Sequence, residues 1–156
     1  MNFARLAAAA TAALMTVNAT GTTVAATATC FQAADIEAEQ AIRYQTELMV
    51  VSDTCGSDSY RDFTVHNRDA IVYYQKQLME RFRRAGARKP QASLDSFLTQ
   101  LANEIALATA RDRTQAVCGR AEAMLAEARL LKGEQFRHRM ATLAAENVRD
   151  YRRCSG

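Results

Sequence analysis

Residues 94–108 read LDSFLTQLANEIALA, and this stretch decides the fold class. Its apolar side chains recur every three or four residues, at Leu94, Phe97, Leu98, Leu101, Ile105 and Ala108. This spacing places them on one face of an α-helix, because a half-buried strand would alternate apolar and polar residues. The stretch therefore predicts an amphipathic helix, the third in the chain, that begins after Ser93.

Two earlier segments show the same period. A first helix is predicted from about Gln32 or Asp35 to Asp53, and a second from Ser59 to about Ala85. The tetrapeptide 59–62 has the Ser-x-x-acid form of a capping box. The predicted buried face of the first helix contains Ala38, Ala41, Ile42, Gln45, Leu48, Met49 and Ser52. That of the second contains Tyr60, Phe63, Asn67, Ile71, Tyr74, Leu78 and Phe82.

The last third of the chain predicts two more helices. Asp112 is expected to act as the N-cap of a fourth helix, and a fifth is expected over 134–153. Gly56, Gly86 and Gly133 each follow a periodic segment, where a helix commonly ends on a left-handed residue. No segment alternates like a strand. The sequence therefore predicts an all-α fold, a bundle of four or five antiparallel helices stapled by disulfides.

The first 28 residues are predicted to be a signal peptide. Arg5 precedes an uncharged apolar run, 6–17, that is too short to cross a bilayer, and the small-x-small pattern before residue 29 suits cleavage after Ala28. Cleavage after Ala26 or Ala19 is an alternative, as is lipidation of Cys30. Residues 29–156 are then a single exported helical domain without a transmembrane segment.

Four cysteines in an exported chain predict two disulfides. Short loops between antiparallel helices would bring Cys55 and Cys118 to one pole, which leaves Cys30 to pair with Cys154. Strict up-and-down alternation of five helices, however, places Cys30 and Cys154 at opposite poles. A late start of the first helix, or one short or oblique helix, would remove the conflict, and the sequence leaves all three connectivities open.

Catalytic and metal-binding patterns are weak in this chain. His66 has Asp62 and Asp69 on the same predicted helical face, which would suit a carboxylate–histidine site or simply a solvated helix face. The spacings typical of zinc ligands, nucleophile elbows and phosphate-binding loops do not occur. We therefore expect no cofactor and no metal, and an enzyme, for example a hydrolase whose acids converge only in the fold, is not the favoured interpretation.

The strongest charge feature is a basic run at 81–89. It contains Arg81, Arg83, Arg84, Arg88 and Lys89. Basic residues complement the dipole at the C-terminal end of a helix, which is a structural reason for the run. The alternative is a patch for an anionic partner such as lipid headgroups, cell-wall polymer or an acidic protein. Nucleic acid is not expected, because an exported protein rarely meets it.

Methionine and tyrosine residues suggest a second type of surface. The second helix carries Val72, Tyr73 and Met79 beyond its main stripe, which indicates a further contact surface for a partner helix or an unfolded client. Core filling is the alternative role of such residues.

Several segments resemble a family of small exported all-helical proteins of Gram-negative bacteria that has no established function. They are 46–51 leading to Cys55, 60–63 leading to Asn67, 94–98 with 101–105, and Cys118 with Ala121. The resemblance implies a periplasmic helical protein, and it transfers no catalytic residue. We expect a non-enzymatic, chaperone-like or accessory factor of the cell envelope with an envelope protein as partner; the alternative is a helical module that binds a small ligand.

Overall fold

The computed structural model describes residues 30–154, which form five α-helices. They are α1 (Ala33–Cys55), α2 (Ser59–Arg84), α3 (Pro90–Ala110), α4 (Thr114–Leu130) and α5 (Glu134–Glu146), followed by a short 3-10 helix, Val148–Asp150. Disulfides join Cys55 to Cys118 and Cys30 to Cys154. The prediction of an all-α, disulfide-stapled bundle is confirmed. The predicted signal peptide, 1–28, lies outside the described residues.

Helix α1 is the central element, because it contacts each of the other four helices, as α2 also does, and has the most buried residues of the five. Residues on most of its circumference are buried, including Tyr44 and Thr46, which lie outside the stripe predicted from the sequence. Met49, predicted to be buried, is 37% exposed. A helix surrounded by neighbours needs no single apolar stripe, which explains the weak amphipathic pattern of this segment.

Aromatic side chains from three helices form the centre of the core. The ring of Phe136 on α5 lies 4.9 Å from that of Phe63 on α2 and 5.7 Å from that of Tyr74. Tyr44 on α1 completes the cluster, 5.7 Å from Phe63. Edge-to-face pairs of this kind add about 0.5–1.5 kcal/mol each beyond the burial of their area. We call these four residues the aromatic core.

Helices α1 to α4 alternate in direction along the chain. Helix α5 then continues in the direction of α4 instead of reversing. The contacts of the chain from α4 onward with α1 proceed in order: Cys118 bonds to Cys55, Phe136 packs on Tyr44, Asn147 approaches Gln40, and Cys154 bonds to Cys30. Both α4 and α5 therefore run antiparallel to α1, one after the other. This resolves the conflict over Cys30 and Cys154, since the chain does not reverse between α4 and α5.

The buried side chain of Asn67 fixes the junction between α4 and α5. Its amide nitrogen donates to the carbonyl oxygen of Leu131 at 2.8 Å, and its oxygen accepts from the backbone N–H of Gly133 at 2.8 Å. Gly133 has a φ of 53°, in the left-handed region that favours glycine. The amide thereby satisfies two backbone groups at a break that helical bonds cannot bridge.

The predicted end of the fifth helix, at residue 153, is wrong. Helix α5 ends at Glu146, where the side chain of Asn147 donates to the carbonyl oxygen of Leu143 at 2.9 Å. The following chain forms the 3-10 helix Val148–Asp150 and then, from Tyr151 on, an extended segment that pairs with Phe31, whose N–H donates to the carbonyl oxygen of Arg152 at 2.8 Å. Extended chain covers more distance per residue than helix, which lets Cys154 reach the start of α1.

Two predicted helix caps are also wrong. Ser59 is not the N-cap of α2, because Asp58 occupies that position and the buried hydroxyl of Ser59 instead donates to the carbonyl oxygen of Leu125 at 3.1 Å. Asp112 is not the N-cap of α4, which begins at Thr114. In both cases the side chain bonds to a more distant residue instead of capping the helix: Ser59 to the carbonyl oxygen of Leu125, and Asp112 to the guanidinium of Arg120.

Candidate docking clefts

The second half of α3 is covered by the rest of the bundle less than the first half is. Leu94 and Leu101 are buried, but no residue after Leu101 in this helix is, although the segment 105–110 is mostly apolar. Leu107 is 65% exposed. The side chains at 106, 108 and 110 are alanines, which are too short to reach the neighbouring helices. Open space therefore remains on both sides of this half-helix.

One cleft opens between the end of α1, the start of α2 and the end of α3. Its volume is about 810 Å³. The apolar part of the lining comes from Met49, Val50, Tyr60, Ala106, Ala110 and Val117. Asp53, Asp58, Arg61 and Asp112 supply the charged part. We call this the α1/α2/α3 cleft; it is open to solvent and mixed in polarity.

A second cleft lies on the other side of the same half-helix, between α3 and α4, with α1 as its floor. Its volume is about 470 Å³. Val51 forms the floor, and the walls include Ile105, Ala108, Val117, Ala121 and Met124. Glu47, Glu104, Asp112 and Arg120 supply the charges. We call this the α1/α3/α4 cleft. Thr109, Asp112 and Val117 line both clefts, so the two are adjacent.

The walls of the clefts differ in how firmly they are held. The disulfide from Cys55 to Cys118 attaches the first turn of α4 to the last turn of α1. Beyond Ile105, which packs against the edge of the core, the end of α3 is held by an exposed ion pair across its loop, from Asp112 to Arg120. Exposed ion pairs contribute about 0–1 kcal/mol. The α4 wall is therefore covalently fixed, whereas the α3 wall is weakly tethered.

The charges around the two clefts are predominantly acidic. Arg61 lies 3.1 Å from Asp58 and 3.8 Å from Asp62, and Arg120 pairs with Asp112. Among residues 30–154, no cation lies within ion-pair distance of Glu47, Asp53 or Glu104. The lining therefore presents apolar surface bordered by uncompensated carboxylates.

The structure separates the five predicted basic residues into two groups. The Arg81 guanidinium lies 3.9 Å from the centre of the Phe31 ring, Arg84 donates to both carboxylate oxygens of Asp35 at 2.5 and 2.6 Å, and Arg83 pairs with Glu80. Asp35 is only 1% exposed. Arg81 and Arg84 thus stabilise the fold by contacts with another part of the chain, whereas Arg83 makes an exposed ion pair within α2.

Arg88 and Lys89 form the second group. Both are exposed, and no carboxylate of the described chain lies within ion-pair distance of either. They lie at the opposite end of α3 from the two clefts.

The acids and histidines considered from the sequence do not converge. His66 Nδ1 lies 2.7 Å from the main-chain oxygen of Asp62 rather than at a carboxylate. The two buried acids have cationic partners: Asp35 pairs with Arg84 and Glu39 with Arg43. No group of three His, Cys, Asp or Glu side chains within residues 30–154 could hold a metal ion.

Two tyrosines in the aromatic core have strongly perturbed hydroxyls. Burial, reinforced by the neighbouring Glu127 carboxylate, raises the pKa of Tyr44, whose hydroxyl donates to Glu127 at 3.4 Å. Burial, reinforced by the hydrogen bond to Glu37 at 2.7 Å, raises the pKa of Tyr74. Both hydroxyls are therefore held as neutral donors, which suits a structural role.

Sequence reasoning did not find the clefts. The sequence nevertheless contains a feature that indicates them: the large leucine and phenylalanine side chains in the first half of α3 give way to several alanines in its second half. Within residues 30–154 no helix has both the length and the apolar character needed to span a bilayer. The second contact surface predicted on α2 stays a prediction. There, Val72 and Tyr73 are exposed, the Arg137 guanidinium lies 5.1 Å from the Tyr73 ring centre, and Met79 packs against the core.

No protein-family model, curated protein or solved structure matches this chain. The resemblance to small exported helical proteins therefore remains a hypothesis.

Proposed function

We propose that this protein is a non-enzymatic, exported accessory factor of the cell envelope, chaperone-like in action, that binds a segment of another polypeptide at the two clefts beside α3. The observation that carries the proposal is the second half of α3, which is apolar, has no buried side chain and is flanked by open space of about 810 and 470 Å³. Open grooves suit an interaction surface, whereas an enzyme would converge polar groups in a dry site.

The chemistry of the lining indicates the kind of segment. Methionine, valine and alanine side chains favour an apolar stretch and adapt to different shapes. The carboxylates of Glu47, Asp53 and Glu104 favour basic residues beside that stretch, because complementary charges steer association and disfavour acidic sequences. The expected occupant is therefore a polypeptide segment with apolar anchors and lysine or arginine beside them.

Peptide binding tests this charge preference. A labelled synthetic peptide of leucine and lysine should bind, and its leucine–glutamate counterpart should bind much more weakly, as measured by fluorescence anisotropy. Reversal of Glu104 to lysine should weaken binding of the basic peptide by about fivefold, the scale of an exposed ion pair. The matched control is Glu122→Lys, an exposed acid on α4 that lines neither cleft.

The two substitutions change net charge equally, so equal losses of binding would contradict the proposed location. Absence of binding by either peptide would contradict the proposed function.

Crosslinking in cells tests the same surface with natural partners. A photoreactive amino acid placed at position 106 should capture protein partners, whereas the same residue at position 126 should not. Ala106 and Ala126 are both exposed alanines, but only Ala106 lines a cleft. Equal capture at both positions would indicate nonspecific contact.

A second candidate function is the binding of a small apolar or amphiphilic ligand. The volume of the α1/α2/α3 cleft, about 810 Å³, lies within the range of ligand sites, about 300–1,000 Å³. Native mass spectrometry should then reveal a small molecule that copurifies with the wild type. Ala106→Trp should displace that molecule, whereas Ala126→Trp, at an exposed alanine of α4 outside the clefts, should not.

Export is supported by the two disulfides, which persist in oxidising compartments and are rare in the cytosol. We propose a periplasmic location. Cell fractionation followed by thiol alkylation without reductant is the test: four unreactive cysteines in the periplasmic fraction are expected, and a cytosolic protein with free thiols would contradict the proposal.

A further inference from the structure

The loop from α2 to α3 carries two cations for which the fold supplies no stabilising partner. Arg88 and Lys89 lie beyond the C-terminal end of α2 and directly before Pro90, the first residue of α3. Cations are unfavourable at the N-terminal end of a helix, and the first turn of α3 contains no acidic residue to offset them. Helix stabilisation therefore does not explain these two residues.

A shallow apolar depression lies beside the two cations. Its apolar lining comes from Phe82 at the end of α2, Phe97 on α3 and two alanines, Ala87 and Ala92. The rings of Phe82 and Phe97 are 6.1 Å apart and tilted against each other. The volume is about 620 Å³, and none of the lining residues is acidic. Apolar surface and uncompensated positive charge therefore occur together at this end of the molecule.

We propose that this loop, 85–89, with the first turns of α3, docks onto the surface of an anionic phospholipid bilayer. Basic side chains near such a surface attract its headgroups, and aromatic and apolar groups beside them settle at the boundary with the acyl chains. A bilayer suits the site better than a free anion does, because the depression is wide and shallow and the two cations project from a turn at the end of the bundle.

The proposal gives the molecule an orientation. The docking loop precedes α3 and the two clefts flank its far end. A helix of 21 residues spans about 30 Å at 1.5 Å per residue. A molecule docked through Arg88 and Lys89 would thus present its clefts away from the bilayer, toward partners in the surrounding compartment. The docking itself does not depend on what the clefts bind.

Vesicle cosedimentation of the full mature protein tests the proposal. The probe is vesicles of phosphatidylcholine and phosphatidylglycerol in equal parts, compared with phosphatidylcholine alone. Wild-type protein should bind the anionic vesicles, bind the neutral ones much less, and dissociate as salt is raised. The double variant Arg88→Gln/Lys89→Gln should lose at least about tenfold in partition coefficient, because each basic residue near such a surface raises the coefficient by about fivefold.

The matched control is Arg111→Gln/Arg113→Gln. These two exposed arginines lie in the loop between α3 and α4, at the other end of the same helix, and the substitution changes net charge by the same amount. The control should bind within about twofold of wild type, since its charges face away from the docking loop. Circular dichroism should show both variants equally folded, as all four residues are exposed.

Three results would overturn the proposal. The wild type could fail to bind anionic vesicles, or both double variants could weaken binding equally, which would reveal an effect of net charge alone. A soluble peptide of glutamate and phenylalanine could bind the wild type through Arg88 and Lys89 while vesicles do not, which would assign the loop to an acidic protein instead.

Discussion

The aromatic core and the second half of α3 are both adjacent to the central helix α1, yet they differ in almost every physical respect. Phe136 is 0% exposed and its ring contacts three other aromatic rings, whereas Leu107 is 65% exposed beside two clefts. Large side chains interdigitate in the first region, and alanines leave space in the second. The bundle therefore concentrates its stability in α1, α2 and α5 and leaves α3 with a surface that is free to bind.

The two disulfides lie at opposite ends of α1, and removing them one at a time has the largest expected effect. On the chain-entropy model, pairwise replacement by serine should lower the free energy of unfolding by about 4–5 kcal/mol for either bond, because both close long loops. Hydrogen exchange should distinguish them. Loss of Cys55–Cys118 should increase exchange at the start of α4, and loss of Cys30–Cys154 should do so in the segment 148–154. Identical exchange patterns would contradict a division into two regions.

Truncation of a side chain should lower the free energy of unfolding far more in the aromatic core than in the second half of α3. Phe136→Ala should lower the free energy of unfolding by about 3–5 kcal/mol, because it leaves a cavity among three rings. Leu107→Ala should cost about 0.5 kcal/mol or less, as expected of an exposed site. Urea unfolding measures both values. Phe136→Leu, expected to cost less, covers the case in which the alanine variant does not fold, and similar costs for Phe136 and Leu107 would contradict the comparison.

The polar link at the α4–α5 junction should also matter. Asn67→Ala leaves the carbonyl of Leu131 and the N–H of Gly133 without their side-chain partner, at about 1–3 kcal/mol for the carbonyl of the buried Leu131. Exchange of the Gly133 amide should accelerate in the folded state. The matched control is Asn103→Ala, at an exposed asparagine of α3, which should change neither quantity. An unchanged Gly133 amide would show that the backbone holds the junction without the side chain.

Alkaline pH should destabilise the aromatic core. The pKa values of Tyr44 and Tyr74 are raised from the ordinary value of 10.0 by burial and by the neighbouring carboxylates. A group with a raised pKa in the folded state contributes stability that is fully present below its unfolded pKa and is lost as pH rises above it. Stability should therefore fall as pH rises above about 10. Denaturation at several pH values should show a smaller fall for Tyr44→Phe and Tyr74→Phe; an unchanged slope in both would contradict this assignment.

The smallest expected effect is at the tether of α3. Asp112→Asn removes the ion pair to Arg120, whose two side chains are 48% and 63% exposed, so the free energy of unfolding should fall by less than about 1 kcal/mol. Local exchange in 106–112 should nevertheless increase, because most of these residues are exposed and make few other contacts. Asp95→Asn, an exposed acid in the well-packed half of α3, serves as control. Equal exchange in both variants would mean that the end of α3 is held by packing.

Part of the molecule could be predicted from local pattern. The helices around Phe63, Leu101 and Phe136 follow from a repeat of three to four residues, and the positive φ of the glycines at 56, 86 and 133 follows from the steric limits of side chains with a Cβ atom. Gly133, however, is the N-cap of α5 rather than the residue that ends α4. The caps at Ser59 and Asp112 were wrong, because each side chain found a tertiary partner that no local rule contains.

The candidate site was the least predictable part. In the basic run, Arg81 stacks on Phe31 and Arg84 pairs with Asp35, and both partners lie about fifty residues away in the chain. Only the fold shows that Arg88 and Lys89 remain exposed. The clefts depend on where α3 lies relative to α1 and α4. Amphipathic pattern reports which face of a helix is apolar, but not whether a neighbour covers that face.

The sequence by itself determined the helical class and the presence of enough cysteines for two crosslinks, because helix periodicity and cysteine number are properties of the chain. Tertiary structure alone decided that α5 continues in the direction of α4, that Cys154 returns to Cys30, and that the end of α3 stands free. These outcomes depend on contacts such as those of Asn67 with Leu131 and Gly133, which join residues more than sixty positions apart. Contacts at that separation are set by packing of the whole chain, which local propensity does not encode.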